Sequence, residues 1–125
     1  MSTLRTFIVE DNAVILNNLI ATLEELADIQ VVGSAGNEKE AVRAIAERAH
    51  TVDLVIVDIF LSAGSGLGVL RSAQEQRWTA KCVVLSNYAT PDMRRRCTEM
   101  GAHQVFDKSS ELDELITYCE KMAEA

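Results

Sequence analysis

The chain has 125 residues, of which 48% are hydrophobic and 25% charged, the profile of one globular domain with one core. One proline and six glycines are too few for a disordered or low-complexity chain. The net charge of -7, from 12 Lys+Arg against 19 Asp+Glu, disfavours direct binding of nucleic acid or an anionic membrane surface.

Phe7-Ile8-Val9 is a short apolar run that stops at Glu10-Asp11-Asn12, which predicts a buried strand. Val14, Ile15, Leu19, Leu23 and Leu26 then recur at helical spacing, with Asp11 or Asn12 as N-cap. Ile29 to Ala35 reads as a second strand, closed by the turn signal Gly36-Asn37. Glu38 to Arg48 reads as a helix with Ala41, Ala44 and Ile45 inward. Asp53 to Asp58 is the clearest strand. Its aliphatic run, Leu54-Val55-Ile56-Val57, implies burial on both faces, as in a parallel sheet. Residues 62–66 read as a loop, and Leu67, Leu70 and Ala73 open a third helix. Lys81 to Ser86 is a fourth strand. Pro91 suits the first turn of the next helix, which turns Met93, Cys97 and Met100 inward and ends at Gly101. Gln104-Val105-Phe106 is a fifth strand. Ser110 to Met122 is a last helix, capped by Ser110, with Leu112, Leu115, Ile116 and Cys119 as its apolar stripe.

Strict alternation of strand and helix predicts an α/β fold with a doubly wound parallel sheet and helices on both faces. No linker or repeat divides the chain, so residues 1–125 read as a single domain. No apolar run is long enough to cross a bilayer, and residues 1–7 lack the pattern of a signal peptide. Cys82, Cys97 and Cys119 form no CxxC pair. They read as reduced thiols of a cytoplasmic protein, and their irregular spacing with His50 and His103 argues against zinc.

In an open parallel sheet, ligands bind beyond the carboxyl ends of the strands, where the strand order reverses. The residues expected there are Glu10, Asp11, Asp58, Ser86 and Lys108. Three carboxylates brought together repel unless a cation sits among them. Hard oxygen ligands with room for water suit Mg²⁺. A carboxylate beside Mg²⁺ and a lysine is placed to attack a phosphoryl group, with the Ser86 hydroxyl free to bond a phosphoryl oxygen.

Singly, each of these residues has a plainer reading. Glu10-Asp11-Asn12 would be a helix cap, Asp58 a strand-end acid, Lys108 a surface lysine and Ser86-Asn87 a turn. The run from Gly64 to Gly68 has neither GxGxxG nor Walker spacing and reads as flexible turn glycines. Arg94, Arg95 and Arg96 fan over about 200° of a helix, so they form no flat cationic face. His50 and His103 read as surface residues, and Trp78 as a cap on the edge of the core.

Taken in order, Ile8-Val9-Glu10-Asp11-Asn12, Leu54 to Asp58, Gly66, Val84-Leu85-Ser86, Gly101-Ala102 and Phe106-Asp107-Lys108 resemble the receiver domain of bacterial response regulators, end to end. The resemblance implies a five-stranded, flavodoxin-like (βα)5 fold with strand order 2-1-3-4-5. It implies that Asp58 is the phosphoacceptor, Lys108 the phosphate-pairing lysine and Ser86 the switch hydroxyl. Glu10, Asp11, Asp58 and the backbone carbonyl of Phe60 would hold Mg²⁺. The partners implied are a sensor histidine kinase or histidine phosphotransfer protein, and an output protein or effector domain. The output face would run around residues 93–97, Val105 and residues 112–118. The chain would be a phosphoacceptor in two-component or phosphorelay signalling, catalysing only its own phosphorylation and dephosphorylation.

Three positions depart from the family pattern. Val105 stands where an aromatic residue is usual; Tyr88 on the adjacent loop is a candidate substitute, but reads first as a solvent-exposed loop tyrosine. Ser109 replaces the proline after the lysine, which makes a cis bond there costly. Ser62 replaces a loop proline. The resemblance stops at Ala125 without an output domain, which reads as a standalone receiver or a piece of a longer regulator. Two rivals stand beside it. One is a degenerate receiver that binds partners without phosphorylation, for which Val105 speaks. The other is a Mg²⁺-dependent phosphohydrolase of the haloacid-dehalogenase type, which needs a second Asp where this chain has Phe60.

Overall fold

Leu4–Val9 (β1), Ile29–Ala35 (β2), Leu54–Val57 (β3), Lys81–Ser86 (β4) and Gln104–Asp107 (β5) alternate with Ala13–Leu26 (α1), Glu38–Glu47 (α2), Gly66–Glu75 (α3), Pro91–Glu99 (α4) and Leu112–Glu124 (α5). The computed structural model describes residues 3–48 and 50–124. Met1, Ser2 and Ala125, which the sequence reading included at the chain ends, lie outside the described residues, as does Ala49. The strands pair in parallel in the order β2-β1-β3-β4-β5, so the expected doubly wound flavodoxin-like sheet is present. Among the described residues, no helix is long and apolar enough to cross a membrane.

Successive strand residues point to opposite faces, and here both faces are apolar. Phe7, Val9, Val55, Val57, Cys82 and Val84 pack toward Ala41, Ile45, Val69, Leu70 and Cys97 of α2, α3 and α4. The alternate residues Leu4, Ile8, Leu54, Ile56, Val83 and Leu85 pack toward Leu19, Leu23, Leu115 and Cys119 of α1 and α5. Burying each large aliphatic is worth roughly 1.5–3 kcal/mol. That stabilisation holds the strand ends where the polar residues emerge.

Several boundaries differ from the sequence reading. Strand β1 begins at Leu4, because Leu4 and Thr6 are buried although Arg5 between them interrupts the apolar run. In α1 the buried stripe is Leu19 and Leu23, flanked by Leu16 and Ile20, while Val14 is 69% exposed. Val14 lies about 140° around the helix from Leu19, which takes it off the core face. Leu26 is also exposed, at the last helical position before the chain turns into β2. Ser65, expected in a loop, caps α3 by accepting the Leu67 N–H at 3.0 Å. Helix α5 begins at Leu112, two residues after Ser110, so Glu111 rather than Ser110 immediately precedes it. The Asp107 carboxylate accepts the backbone N–H groups of Ser109 and Ser110, which shapes a turn between β5 and α5.

All three cysteines are free and buried. Burial pushes the thiols of Cys82 and Cys119 up to about 12, the latter helped by Glu120, and raises Cys97 despite Arg96 nearby. A buried protonated thiol is a poor nucleophile, so reaction requires opening of the fold. At pH 8, an aromatic disulfide reagent is expected to modify the native thiols at least about a thousandfold more slowly than the unfolded chain. Absorbance of the released thiolate checks this.

Candidate functional site

Strand register decides which side chains meet. Val9 pairs with Val57, Val57 with Val84, and Ser86 with Asp107. Each ladder then runs one residue further. Glu10 N–H donates to the Ala35 carbonyl at 3.0 Å, Asp58 N–H to Val9 at 3.0 Å, and Lys108 N–H to Ser86 at 2.9 Å. Glu10, Asp58 and Lys108 therefore leave the sheet together at its carboxyl edge. This is the point where the order reverses between β1 and β3.

The side chains converge. Lys108 Nζ donates to Glu10 Oε1 at 2.5 Å and to Asp58 Oδ2 at 3.2 Å. Carboxylate oxygens of Glu10, Asp11 and Asp58 lie within 4.8 Å of one another. Glu10 is 4% exposed, and its second oxygen accepts the Asn12 N–H at 3.1 Å. Asp11 faces solvent, and Asp58 is partly covered. Three carboxylates around one ammonium leave two formal negative charges in excess, so the donor set suits a hard divalent cation. Burial alone would lower the pKa of Lys108. Its hydrogen bond to Glu10, with the charges of Asp58 and Glu10, outweighs burial and raises it above the usual 10.5.

Local structure positions each group. Asn12, rather than Asp11, caps α1 by accepting the Ile15 N–H at 3.0 Å, which leaves the Asp11 carboxylate to the cluster. Gly66 passes under the strand end, where a Cβ would sit 2.2 Å from the Asp58 carbonyl oxygen. Only glycine allows that approach. Glu38 reaches from α2 to accept the Ser65 N–H at 2.9 Å, and its carboxylate fills the space a Cβ on Gly68 would need. The glycine run is therefore a packed feature rather than flexible turn glycines. Gly66 stands in the sequence only among the residues that carry the family resemblance, while the Glu38 contact leaves no signal there.

Ser86 is fully buried at the end of β4, beside the Asp58 strand, and its Oγ accepts the Tyr88 N–H at 3.0 Å. The ring of Phe60 is not directed into the acidic cluster. It is 52% exposed and packs edge-on against Tyr88, itself 59% exposed, with ring centroids 4.7 Å apart. Tyr88 is thus an exposed loop residue, yet one that joins the loops following β3 and β4. Val105 is buried in the core. His50 and His103 are exposed, as expected, although the His103 ring also accepts the Cys82 N–H.

The sequence profile described as "Response regulator receiver domain" matches residues 6–120. The chain belongs to the response regulator receiver family. Among proteins, it is 33% identical over 112 residues to the uncharacterized transcriptional regulatory protein YvfU of Bacillus subtilis (strain 168), covering 90% of this chain and 55% of that protein. It is 25% identical over 112 residues to the transcriptional regulatory protein LiaR of the same organism, covering 90% and 52%. The chain thus spans about half the length of these relatives. Among solved structures, a two-component response regulator of the LuxR family from Aurantimonas sp. SI85-9A1 has a similar fold, with TM-score 0.88 at 24% identity, covering 98% of this chain and 86% of that one. A chain from the complex of the CheA3 P1 domain with CheY6 of R. sphaeroides matches at 28% identity and TM-score 0.79, covering 100% of both chains. Receiver domains are phosphoacceptors of two-component systems rather than true enzymes, and Mg²⁺ binding at an acidic pocket is typical of them.

The raised Lys108 value means that the folded chain holds this proton more tightly than the unfolded chain. Its contribution to stability is complete below pH 10.5 and is lost as pH climbs through the higher folded value. In urea unfolding from pH 9 to 11.5, the wild-type midpoint is expected to fall more steeply than that of a Glu10→Gln, Asp58→Asn double variant. The buried thiols titrate in both proteins and cancel in the comparison.

Proposed function

We propose that the chain is a phosphorylation-controlled receiver in which Asp58 accepts a phosphoryl group. The observation that carries this reading is the Lys108 ammonium held between Glu10 and Asp58, within a cluster of three carboxylates. Glu10, Asp11, Asp58 and the backbone carbonyl of Phe60 would hold Mg²⁺. Bound there, the ion would neutralise charge on the transferring phosphoryl oxygens.

The chain's own residues supply the rest. An Asp58 carboxylate oxygen attacks phosphorus, a new P–O bond forms, and the bond from phosphorus to the donor atom breaks, with its electron pair leaving on the donor. Lys108 already contacts Oδ2 of Asp58, so its ammonium is placed to pair with a phosphoryl oxygen. The Ser86 hydroxyl would donate a hydrogen bond to another oxygen of the same group. Phosphorylation adds roughly -1.5 to -2 charge, so these two donors favour a rearrangement of the loops that carry them.

The phosphodonor is a sensor histidine kinase, a histidine phosphotransfer protein or a small acyl phosphate. A groove of about 300 Å³ beside Lys108, lined by Ile15, Leu19 and Leu112, offers a donor helix apolar contact next to the acid cluster. The complex of the CheA3 P1 domain with CheY6 is in keeping with a donor of this class. Residues 1–125 act as one receiver domain in the cytoplasm, and a partner protein or effector domain reads the phosphorylated state. The chain itself contacts neither nucleic acid nor membrane, in keeping with its charge of -7. The phosphohydrolase reading has no second acid at position 60, where the Phe60 ring packs on Tyr88. The degenerate reading is disfavoured because all the charged groups of the chemistry are assembled.

Intact mass after incubation with Mg²⁺ and acetyl phosphate tests the proposal. The wild type is expected to gain one hydroxylamine-labile phosphoryl group. Asp58→Asn, and the wild type with EDTA, are expected to gain none. A folded, Mg²⁺-binding wild type that stays unmodified would move the assignment to the phosphorylation-independent module.

A further inference from the structure

The sequence shows Arg94, Arg95 and Arg96 only as three residues fanned around one helix, and the fold gives Arg94 and Arg95 different partners. Arg95 pairs with Asp92 on the exposed side of its own helix. Arg94 instead binds three elements at once. Its Nε donates to the Ala89 carbonyl at 2.9 Å, its Nη1 to the Val105 carbonyl at 3.0 Å, and its Nη2 to Oε1 of Glu111. The same Glu111 oxygen accepts the Asp107 N–H at 2.9 Å. The Arg94 and Glu111 side chains are both partly covered. The guanidinium bond holds the Glu111 carboxyl below the usual carboxylate range, and the Asp107 N–H adds to the effect.

These bonds close a circuit around the site. Ser86 Oγ accepts the Tyr88 N–H, and the next residue, Ala89, is bonded to Arg94. On the other side, Arg94 binds Glu111, which binds the backbone of Asp107, and Asp107 precedes Lys108. Lys108 N–H returns to the Ser86 carbonyl at 2.9 Å. One guanidinium therefore ties together the two segments that carry Ser86 and Lys108. Val105, on the strand that leads to Lys108, is buried and has no ring to swing, and its carbonyl is what meets Arg94.

We propose that Arg94 is a positioning residue: a latch that holds the 87–90 loop in its unphosphorylated arrangement and couples movement of Ser86 to the start of α5. The inference rests on Asp58 being the phosphoacceptor. A guanidinium is a planar, rigid fork, so displacing its Ala89 contact turns its contacts with β5 and Glu111 as well. A bond made only in the resting arrangement opposes binding at Asp58 by the free energy it supplies to that arrangement. Removing it therefore favours the phosphorylated arrangement.

The test uses the full chain, Mg²⁺ and beryllium fluoride as phosphoryl analogue. Affinity is read by calorimetry, and thermal unfolding is measured in parallel. Arg94→Met is expected to bind the analogue at least about fivefold more tightly than wild type. Glu111→Gln, the gentler substitution, is expected to shift affinity in the same direction by less. The double variant is expected to bind no more tightly than Arg94→Met, because both substitutions break one circuit. In wild type, analogue binding is expected to move the amide resonances of Ala89, Glu111 and Leu112 together, and in Arg94→Met to uncouple Ala89 from the other two. Analogue affinities within twofold of wild type in both single variants, whatever their melting temperatures, would reduce Arg94 to structural support and overturn the latch. A folded wild type that binds no analogue would instead overturn the phosphoacceptor reading, and the latch with it.

Discussion

Everything at the carboxyl edge of the sheet answers to one electrostatic constraint. The register places Glu10 and Asp58 at adjacent strand ends, with Asp11 close by. Two unit charges 4.8 Å apart repel by at least about 3 kcal/mol at an effective dielectric near 20. Glu10 is almost wholly buried, so water relieves little of its share. The Lys108 ammonium, bonded to both Glu10 and Asp58, offsets part of this. It leaves the cluster net negative and therefore disposed toward a divalent cation. The burial that drives the sheet to form is thus the same force that keeps the acids together.

That constraint explains why the site was more legible than its surroundings. In a parallel sheet buried on both faces, a strand is an aliphatic run, and the residue that ends the run marks the carboxyl edge. Leu54 to Val57 followed by Asp58, and Phe7 to Val9 followed by Glu10, carry that signal in plain view. Lys108, Ser86 and Gly66 are visible by the same rule, or by resemblance to the family. The alternation of elements implied the doubly wound class, while the order 2-1-3-4-5 came from the resemblance and not from periodicity. What stayed hidden was set by tertiary reach. Val14 matches the helical pattern but faces solvent. Ser110 looks like a cap, but the helix begins only at Leu112, and Asp107 accepts the Ser110 N–H in the turn before it. Glu38, Arg94 and Glu111 are long polar side chains whose partners lie on other elements, and no local pattern encodes such contacts.

Val105 bears on how a change at the site would travel. A ring at that position can move between a buried and an exposed place, and a small branched side chain packed in the core has no comparable alternative. The structure offers other links from Ser86. Its hydroxyl holds the Tyr88 N–H, the Tyr88 ring rests on Phe60, and Ala89 is held by Arg94. The two aromatic residues join the loop that follows Asp58 to the loop that follows Ser86. The ring contact therefore ties the two site loops to each other, and the guanidinium ties the loop after Ser86 to β5 and to Glu111.

The energy scale sets what such ties must accomplish. Moving a population from about 1:99 to 99:1 needs a differential of roughly 5.5 kcal/mol. Two new donor bonds to a phosphoryl group, at roughly 1.5–3 kcal/mol each for charge-assisted cases, total about 3–6 kcal/mol and reach that figure only at the upper end. Any bond that exists only in the resting arrangement subtracts from the total. A latch at Arg94 therefore keeps the unphosphorylated chain quiet at the cost of an incomplete response, and a partner that binds only the released arrangement would supply the remainder. The absence of a swinging ring at Val105 and the presence of a three-way clamp over its carbonyl are then two sides of one arrangement. In the proposed reading the clamp would stabilise the resting arrangement, and a partner selective for the released one would complete the switch.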